Sequence, residues 1–167
     1  MFDIEERKSI WLDFCNKKNL NFILRENLLK NNEKILNPLI LPSPFSDEKF
    51  IEVLINKTKG EIYTEVLNLF YFIKVKNEVI SNKFYIYSLD LKDDLIKIDT
   101  FDLENSKKDT FIEKGFTPKG IEEFLNFKNF KLKEIWGDFP LGKIKENSRF
   151  LLLRIEKNEN RKKVRRT

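Results

Sequence analysis

The stretch KFYIYSLDLKDDLIKIDTF, residues 83–101, carries the clearest structural signal in the sequence. Two runs of aromatic and β-branched residues alternate apolar and polar positions on either side of a turn at Lys92 and Asp93. The pattern predicts an antiparallel hairpin that pairs residue 90 with 95, 88 with 97 and 86 with 99. The predicted core face carries Tyr87, Leu89, Ile96 and Ile98, and the polar face carries Ser88, Asp90 and Lys97.

The segments that precede the hairpin mostly predict helices. Residues 3–18 have apolar side chains near helical spacing with Asp3 as a candidate cap, and a second helix is predicted over 20–35. A third helix is predicted over 47–57, with Ser46 as its N-cap and Gly60 as its stop. Residues 37–45, NPLILPSPF, contain three prolines and predict an extended surface connection. Residues 61–76 fit either a helix or a buried strand.

The segments after the hairpin predict one helix and two strands. Thr117-Pro118 is a typical helix start, and the runs KLKEIW and RFLLLRIEK predict strands. The predicted fold class is therefore α+β: N-terminal helices followed by a small, mostly antiparallel sheet (β-meander), one further helix and closing strands. We predict a single domain over residues 1–157, followed by a basic tail over 158–167.

The composition excludes several kinds of chemistry. The sequence has no histidine and one cysteine, Cys15, so histidine-dependent nucleophilic pairs and multi-cysteine zinc sites cannot form within it. We expect neither a cofactor nor a metal, and an enzyme is the less favoured class. No signal peptide and no apolar run of membrane length is visible, which predicts a cytoplasmic protein without a membrane partner.

Asp90 and Lys92 form the strongest candidate for a catalytic site. A carboxylate two residues before a lysine on a hairpin is typical of small metal-dependent nucleases, in which the carboxylate binds a divalent ion. Such a site needs a second carboxylate, and Asp99 would lie about 13 Å away along the strand, too far to share the ion. Folding could bring Glu61, Glu65 or Glu78 close instead. An exposed ion pair of Asp90 with Lys97 is the alternative.

GDFPLGK, residues 137–143, has the glycine and lysine spacing of a phosphate-binding loop. Phe139, Pro140 and Leu141 are too bulky for backbone N–H groups to wrap a phosphate, and Ile144 stands where a magnesium-binding hydroxyl is required. We therefore predict a strand-connecting loop and no useful affinity for ATP or zinc.

Positive charge is concentrated at the C-terminus. Residues 147–167 hold eight basic residues and two acids, whereas the whole chain has a net charge of +5. Arginine offers a planar pair of donors that suits phosphate, so the segment is a candidate nucleic-acid-binding arm. The candidate contact residues are Arg154, Arg161, Lys162, Lys163, Arg165 and Arg166. The alternative is a solvated tail that keeps the protein soluble.

Three hypotheses for function follow from these features. The first is a non-enzymatic cytoplasmic accessory protein that binds nucleic acid or a nucleoprotein complex through the basic arm. The second is a small metal-dependent nuclease centred on Asp90 and Lys92. The third is a protein–protein inhibitor, immunity or adaptor module. The sequence leaves the partner's identity, any sequence preference, the oligomeric state and the biological process open.

Overall fold

The computed structural model describes residues 4–137 and 142–158. Its helices are α1 (Ile4–Lys18), α2 (Arg25–Lys30), α3 (Glu48–Lys57), α4 (Leu69–Lys74) and α5 (Pro118–Phe127). Its strands are β1 (Asn21–Leu24), β2 (Ile35–Leu36), β3 (Pro38–Leu41), β4 (Thr58–Lys59), β5 (Glu61–Asn68), β6 (Asn77–Ile80), β7 (Lys83–Asp90), β8 (Leu95–Asp102), β9 (Lys108–Phe116), β10 (Phe130–Trp136) and β11 (Phe150–Lys157). All strands except β2 and β4 join one sheet; those two form a small parallel pair.

Three parallel strands form one side of the main sheet. β1 lies beside β3, and β3 lies beside β5, with α2 and α3 in the connections. All four residues of β3, PLIL, are buried. A parallel strand covered on both faces has a continuous apolar run rather than an alternating one, which explains this sequence. The carboxyl ends of the three strands meet at the same edge of the sheet.

The two edges of β5 have different partners. Along one edge, Glu61–Leu67 pairs antiparallel with Phe150–Glu156 of β11, and β11 in turn pairs with β10. Along the other edge, β3 pairs with Tyr63 and Thr64, while β9 pairs only with Leu67 and Asn68. β3 and β9 therefore diverge around residues 65 and 66, and this divergence opens the space that contains the candidate site.

The antiparallel strands β6 to β9 form a meander that joins the sheet through the end of β9. The predicted hairpin is confirmed, because residue 90 pairs with 95, 88 with 97 and 86 with 99. Its predicted faces are also confirmed: Tyr87, Ile96 and Ile98 are buried and Leu89 is half-buried, whereas Ser88, Asp90 and Lys97 are exposed.

Two hydrophobic cores cover the two faces of the sheet. One core contains Trp11 and Phe14 of α1, Leu39 and Leu41 of β3, and Tyr87 and Ile98 of the meander. The other contains Ile51 and Leu54 of α3, Ile40 of β3, and Ile121 and Leu125 of α5. No helix among the described residues is long and apolar enough to cross a membrane.

The predicted fold class is wrong. The chain has a mixed sheet of nine strands with parallel strands at its centre and helices around it, not N-terminal helices followed by a small antiparallel meander. The predicted helix over 20–35 is β1, α2 and part of a short strand, and the predicted surface connection over 37–45 contains the buried β3. Proline did not exclude a strand because Pro38 is its first residue, a position where proline is tolerated.

Several local predictions are more accurate. α1 matches the first predicted helix, although Asp3 lies outside the described residues. The third predicted helix is α3, but its cap is Asp47, whose carboxylate accepts from the Phe50 N–H at 2.9 Å. The Thr117 cap is confirmed, since its hydroxyl accepts from the Gly120 N–H at 3.0 Å. Residues 61–76 contain both alternatives, β5 and then α4.

Candidate functional site

A cavity opens where β3 and β9 diverge along β5. Its volume is about 60 Å³, which is room for a few water molecules or a small head group. It lies just beyond the carboxyl end of β3, and open α/β sheets bind their ligands outside the carboxyl ends of their strands. The cavity is lined by Pro42, Ser43, Glu65, Val66, Leu67, Ile98, Phe111, Glu113, Lys114 and Phe150.

Two carboxylates line this otherwise largely apolar cavity. Glu65 is on β5, and its Oε2 atom is buried. Glu113 is on β9, and its side chain is 22% exposed. Burial raises the pKa of the Glu113 carboxyl above its ordinary value, and the nearby Arg25 guanidinium offsets part of that shift. A carboxyl with a raised pKa in a cavity is typical of groups that bind or move protons.

The cation of Lys114 is directed at aromatic rings. Its Nζ is 5.7 Å from the centroid of the Phe116 ring and 5.9 Å from that of Phe124. These are cation–π distances, and both rings belong to the core on the opposite side of the sheet. The cavity is thus lined by the carboxylates of Glu65 and Glu113 and by the side chain of Lys114, whose ammonium group also lies over these two rings.

Arg25 occupies the neighbouring position at the carboxyl end of β1. It directly follows that strand, and its Nη1 donates to the Ser43 carbonyl oxygen at 3.0 Å. The same atom is 3.8 Å from Oε1 of Glu113, and the guanidinium carbon is 4.9 Å from the centroid of the Phe50 ring. The side chain is only 18% exposed. One arginine thus links the ends of β1 and β3 to β9 and α3.

A second polar cluster is structural. The Glu78 carboxylate accepts from the Tyr71 hydroxyl at 2.8 Å, from Arg149 Nη2 at 2.5 Å and from the Tyr87 hydroxyl. Burial raises the pKa of both phenols, Tyr87 the more strongly, so they remain neutral donors. Because these donors engage both oxygens of Glu78, the cluster ties α4, β6 and β7 to the residue that precedes β11.

The structure does not bring the predicted nuclease residues into a metal site. Asp90 ends β7, and its Oδ1 accepts from the Lys92 backbone N–H at 3.0 Å, so it shapes the exposed hairpin turn. Glu61 pairs with Arg154 and Glu78 with Arg149. Among the described residues there is no group of three or more carboxylate or cysteine side chains that could hold a metal ion.

Only one of the six candidate contact residues of the proposed arm, Arg154, lies within the described part of the chain. Arg154 is on β11 and donates to Glu61 at 2.9 and 2.5 Å and to Glu134 at 2.7 Å, so its guanidinium is engaged in ion pairs across the sheet. These contacts lower the pKa of Glu61. The other candidate contacts, Arg161, Lys162, Lys163, Arg165 and Arg166, lie outside the described residues.

The glycine loop at residues 137–143 lies between two antiparallel strands. The Gly137 N–H donates to the Gly142 carbonyl at 3.0 Å. A Cβ at Gly137 would lie 2.5 Å from the Ser148 hydroxyl oxygen, which explains the glycine. β10 precedes the loop and β11 follows it, and the described residues between them, Gly137 and 142–149, form no helix N-terminus that could bind a phosphate; residues 138–141 lie outside the described residues.

The fold of this chain is similar to that of solved structures of two methyltransferases. An S-adenosylmethionine-dependent methyltransferase from Clostridium acetobutylicum superposes with a TM-score of 0.51 at 17% identity, over 75% of this chain and 59% of that one. The CcbJ methyltransferase from Streptomyces caelestis superposes with a TM-score of 0.54 at 11% identity, over 80% of this chain and 73% of that one. The chain shares the fold of these enzymes. No protein-family model and no curated protein matches its sequence.

These comparisons contradict the hypothesis of a non-enzymatic accessory protein that binds nucleic acid through a basic arm. The arm hypothesis rested on the charge of the C-terminal segment and on the donor geometry of its arginines, whereas the fold is one that methyltransferases use. The chain also spans only 59% of the length of the Clostridium enzyme, so the superposition covers part of a methyltransferase.

The residues that line the cavity were not recognised as a site from the sequence. From the sequence, Glu65 is predicted only as a possible metal ligand, and no pattern singles out Arg25, Ser43 or Glu113. The signal that the sequence offers is the position of Arg25 and Ser43 relative to the apolar runs that form strands. Arg25 and Ser43 closely follow the short apolar runs NFIL and PLIL, and residues just after parallel strands are where ligands bind. Without β3 assigned as a strand, this signal could not be used.

The fold implies S-adenosylmethionine, and the described residues do not fit it. Doubly wound folds hold a nucleotide at a glycine-rich turn after the first strand, at the point where the strand order reverses. Here β1 is followed by Arg25, Glu26 and Asn27, and the first glycine of the sequence is Gly60. The described parallel strands are β1, β3, β5 and β9, and they follow one another across the sheet in sequence order, with no reversal.

Proposed function

We propose that this chain acts in methyl transfer as the part of a methyltransferase that binds the methyl acceptor, and that the acceptor is a small amine. The observation that carries the proposal is the cavity at the carboxyl end of β3, with Glu65 and Glu113 in largely apolar walls. The shared fold with two methyltransferases supports methyl transfer as the setting.

The walls of the cavity suit an organic ammonium group. Leu67, Ile98, Phe111 and Phe150 offer apolar and aromatic surface to the alkyl groups of such a ligand. The carboxylates offer acceptors to its N–H groups, and a charge-assisted hydrogen bond in a partly dry site contributes about 1.5–3 kcal/mol. A volume of about 60 Å³ admits the amine and its nearest carbons, with the remainder of an acceptor outside.

Glu113 is the residue that would prepare the acceptor. An amine can accept a methyl group only through its nitrogen lone pair, so the ammonium form must first lose a proton. The proton would pass from the ammonium nitrogen to the Glu113 carboxylate, leaving a neutral amine and a neutral carboxyl. Because burial raises the pKa of Glu113, this carboxylate is a stronger base than an exposed one.

The test is a titration of the full chain with isopropylammonium and with isopropanol, its uncharged isostere, by calorimetry. With about four non-hydrogen atoms, the ligand can contribute at most about 6 kcal/mol, so a dissociation constant from tens of micromolar to millimolar is expected. Isopropanol should bind at least tenfold more weakly, because it lacks the charge. Equal affinity for both probes would contradict the proposal.

Glu65→Gln and Glu113→Gln should each weaken isopropylammonium binding at least tenfold, by loss of a charge-assisted hydrogen bond. Glu122→Gln is the matched control, since it makes the same chemical change at an exposed position of α5. Binding should also strengthen as pH rises through the raised pKa of Glu113, because the ionised carboxylate is the form that binds a cation. Unchanged affinity in both cavity variants would place the ligand elsewhere.

A further inference from the structure

The ends of β1 and β3 are closed by the protein itself at the place where a nucleotide would lie. In a doubly wound fold the glycine-rich turn after the first strand lets the backbone approach a phosphate or nucleoside closely. In this chain Arg25 stands at that position, and its guanidinium lies against the Ser43 carbonyl, Glu113 and the Phe50 ring. A largely buried side chain therefore fills the space that the ligand would need.

The strands that would flank a nucleotide on the other side of β1 are also absent from the described residues. β1 is the last strand of the sheet, with β3 on one edge and no strand on the other. The crevice of a doubly wound fold forms between two windings of opposite direction, and residues 4–137 and 142–158 supply one winding.

The cavity beside β5 is too small to take the cofactor. Its volume of about 60 Å³ accommodates a few water molecules, whereas S-adenosylmethionine carries a nucleoside and an amino acid on one sulfur. We infer that the described residues, 4–137 and 142–158, do not form a site for the methyl donor. This inference rests on the proposed function for its setting.

The experiment is a calorimetric titration of the full chain with S-adenosylmethionine and with S-adenosylhomocysteine, each up to about 1 mM. The Clostridium acetobutylicum methyltransferase serves as the positive control under the same conditions. We expect saturable heat from the control and none from this chain. Saturable binding of either compound to the wild-type chain would overturn the inference.

The Arg25→Gly variant distinguishes two explanations for the expected lack of donor binding. Either the Arg25 side chain blocks a donor site, or the described residues do not form one. If Arg25 alone excluded the donor, this variant would gain binding, because the backbone could then approach the ligand. We expect no gain, since the second winding is also lacking, and a gain would overturn the inference. Arg25→Ala, which also removes the guanidinium but avoids the backbone entropy of glycine, is the companion if the glycine variant melts at the assay temperature.

The amine titration on the same preparation distinguishes the two claims. Binding of the amine without binding of the donor supports both the acceptor proposal and the donor inference. Absence of amine binding, with donor binding also absent, contradicts the acceptor proposal and leaves the donor inference intact. Donor binding by the wild-type chain contradicts the donor inference, whatever the result with the amine.

Discussion

The carboxyl ends of β1 and of β5 lie along the same edge of one sheet, but the residues around them are arranged differently. At the end of β1, Arg25 reaches across to β3, β9 and α3, and the space is filled by the protein's own side chain. Beside β5, the divergence of β3 and β9 leaves a cavity lined by Glu65 and Glu113.

The difference shows that proteins with the same sheet need not have the same ligand-binding sites along its edge. The parallel strands are present at both positions, but the end of β1 is packed by the protein's own side chains, whereas a cavity lies beside β5. Glu113 belongs to both, since it lies near Arg25 on one side and lines the cavity on the other. Substitutions at these residues should therefore affect stability and binding separately.

Arg25→Met should produce the largest loss of stability among these substitutions. It removes a charge-assisted hydrogen bond to Ser43 and a cation–π contact with Phe50, which together contribute about 2–4 kcal/mol. Thermal unfolding should show a melting temperature lower by about 4–16 °C. Lys119→Met, at an exposed position of α5, should change it by no more than about a degree. A loss no larger than the control's would mean that Arg25 does not close the β1 end.

Arg154→Met tests a comparable arginine at the opposite end of β5. Its side chain is 29% exposed, so its ion pairs with Glu61 and Glu134 should contribute only about 1 kcal/mol. Because Arg154 lowers the pKa of Glu61, the stabilisation is present above the ordinary carboxyl pKa and is lost as pH falls through the lowered value. Denaturant unfolding of both proteins at neutral pH and near pH 3 measures this. A difference that grows on acidification would contradict the assignment.

Glu113→Gln should have the smallest effect on stability, and of opposite sign. A carboxyl whose pKa is raised in the folded state destabilises the fold while it is ionised, and the penalty disappears as pH falls through that raised pKa. The variant should therefore melt slightly above the wild type at neutral pH and together with it at low pH. Melting curves across pH 4–8 check the sign, and a variant that is less stable at neutral pH would contradict the raised pKa.

Local structure was predictable from the sequence where the residues of a single segment determine it. The alternation in residues 83–101 specifies both the faces and the register of the hairpin, since a shift of one residue would expose Tyr87 and Ile98. The Thr117-Pro118 pair likewise specifies the start of α5, because the hydroxyl caps the helix and proline fits its first turn.

The parallel strands of the sheet were not predictable from one segment in the same way. PLIL is four residues that begin with Pro38 and precede Pro42, and only its neighbours β1 and β5 make it a parallel strand. The cavity depends on this arrangement, since residues 43, 65 and 113 are far apart in sequence and meet only because β3 and β9 share one edge of β5. The charge of the C-terminal segment gave no information about either feature.

The most direct test of the acceptor cavity is a nuclear magnetic resonance titration of the isotope-labelled chain with isopropylammonium and isopropanol. Backbone amide signals report the position of the ligand residue by residue. The account predicts that isopropylammonium shifts the amides of Glu65, Leu67, Phe111 and Glu113, that isopropanol shifts them much less, and that Glu113→Gln raises the isopropylammonium concentration needed for the same shifts at least tenfold. Shifts confined to other surfaces, or an equal response to the two probes, would contradict it.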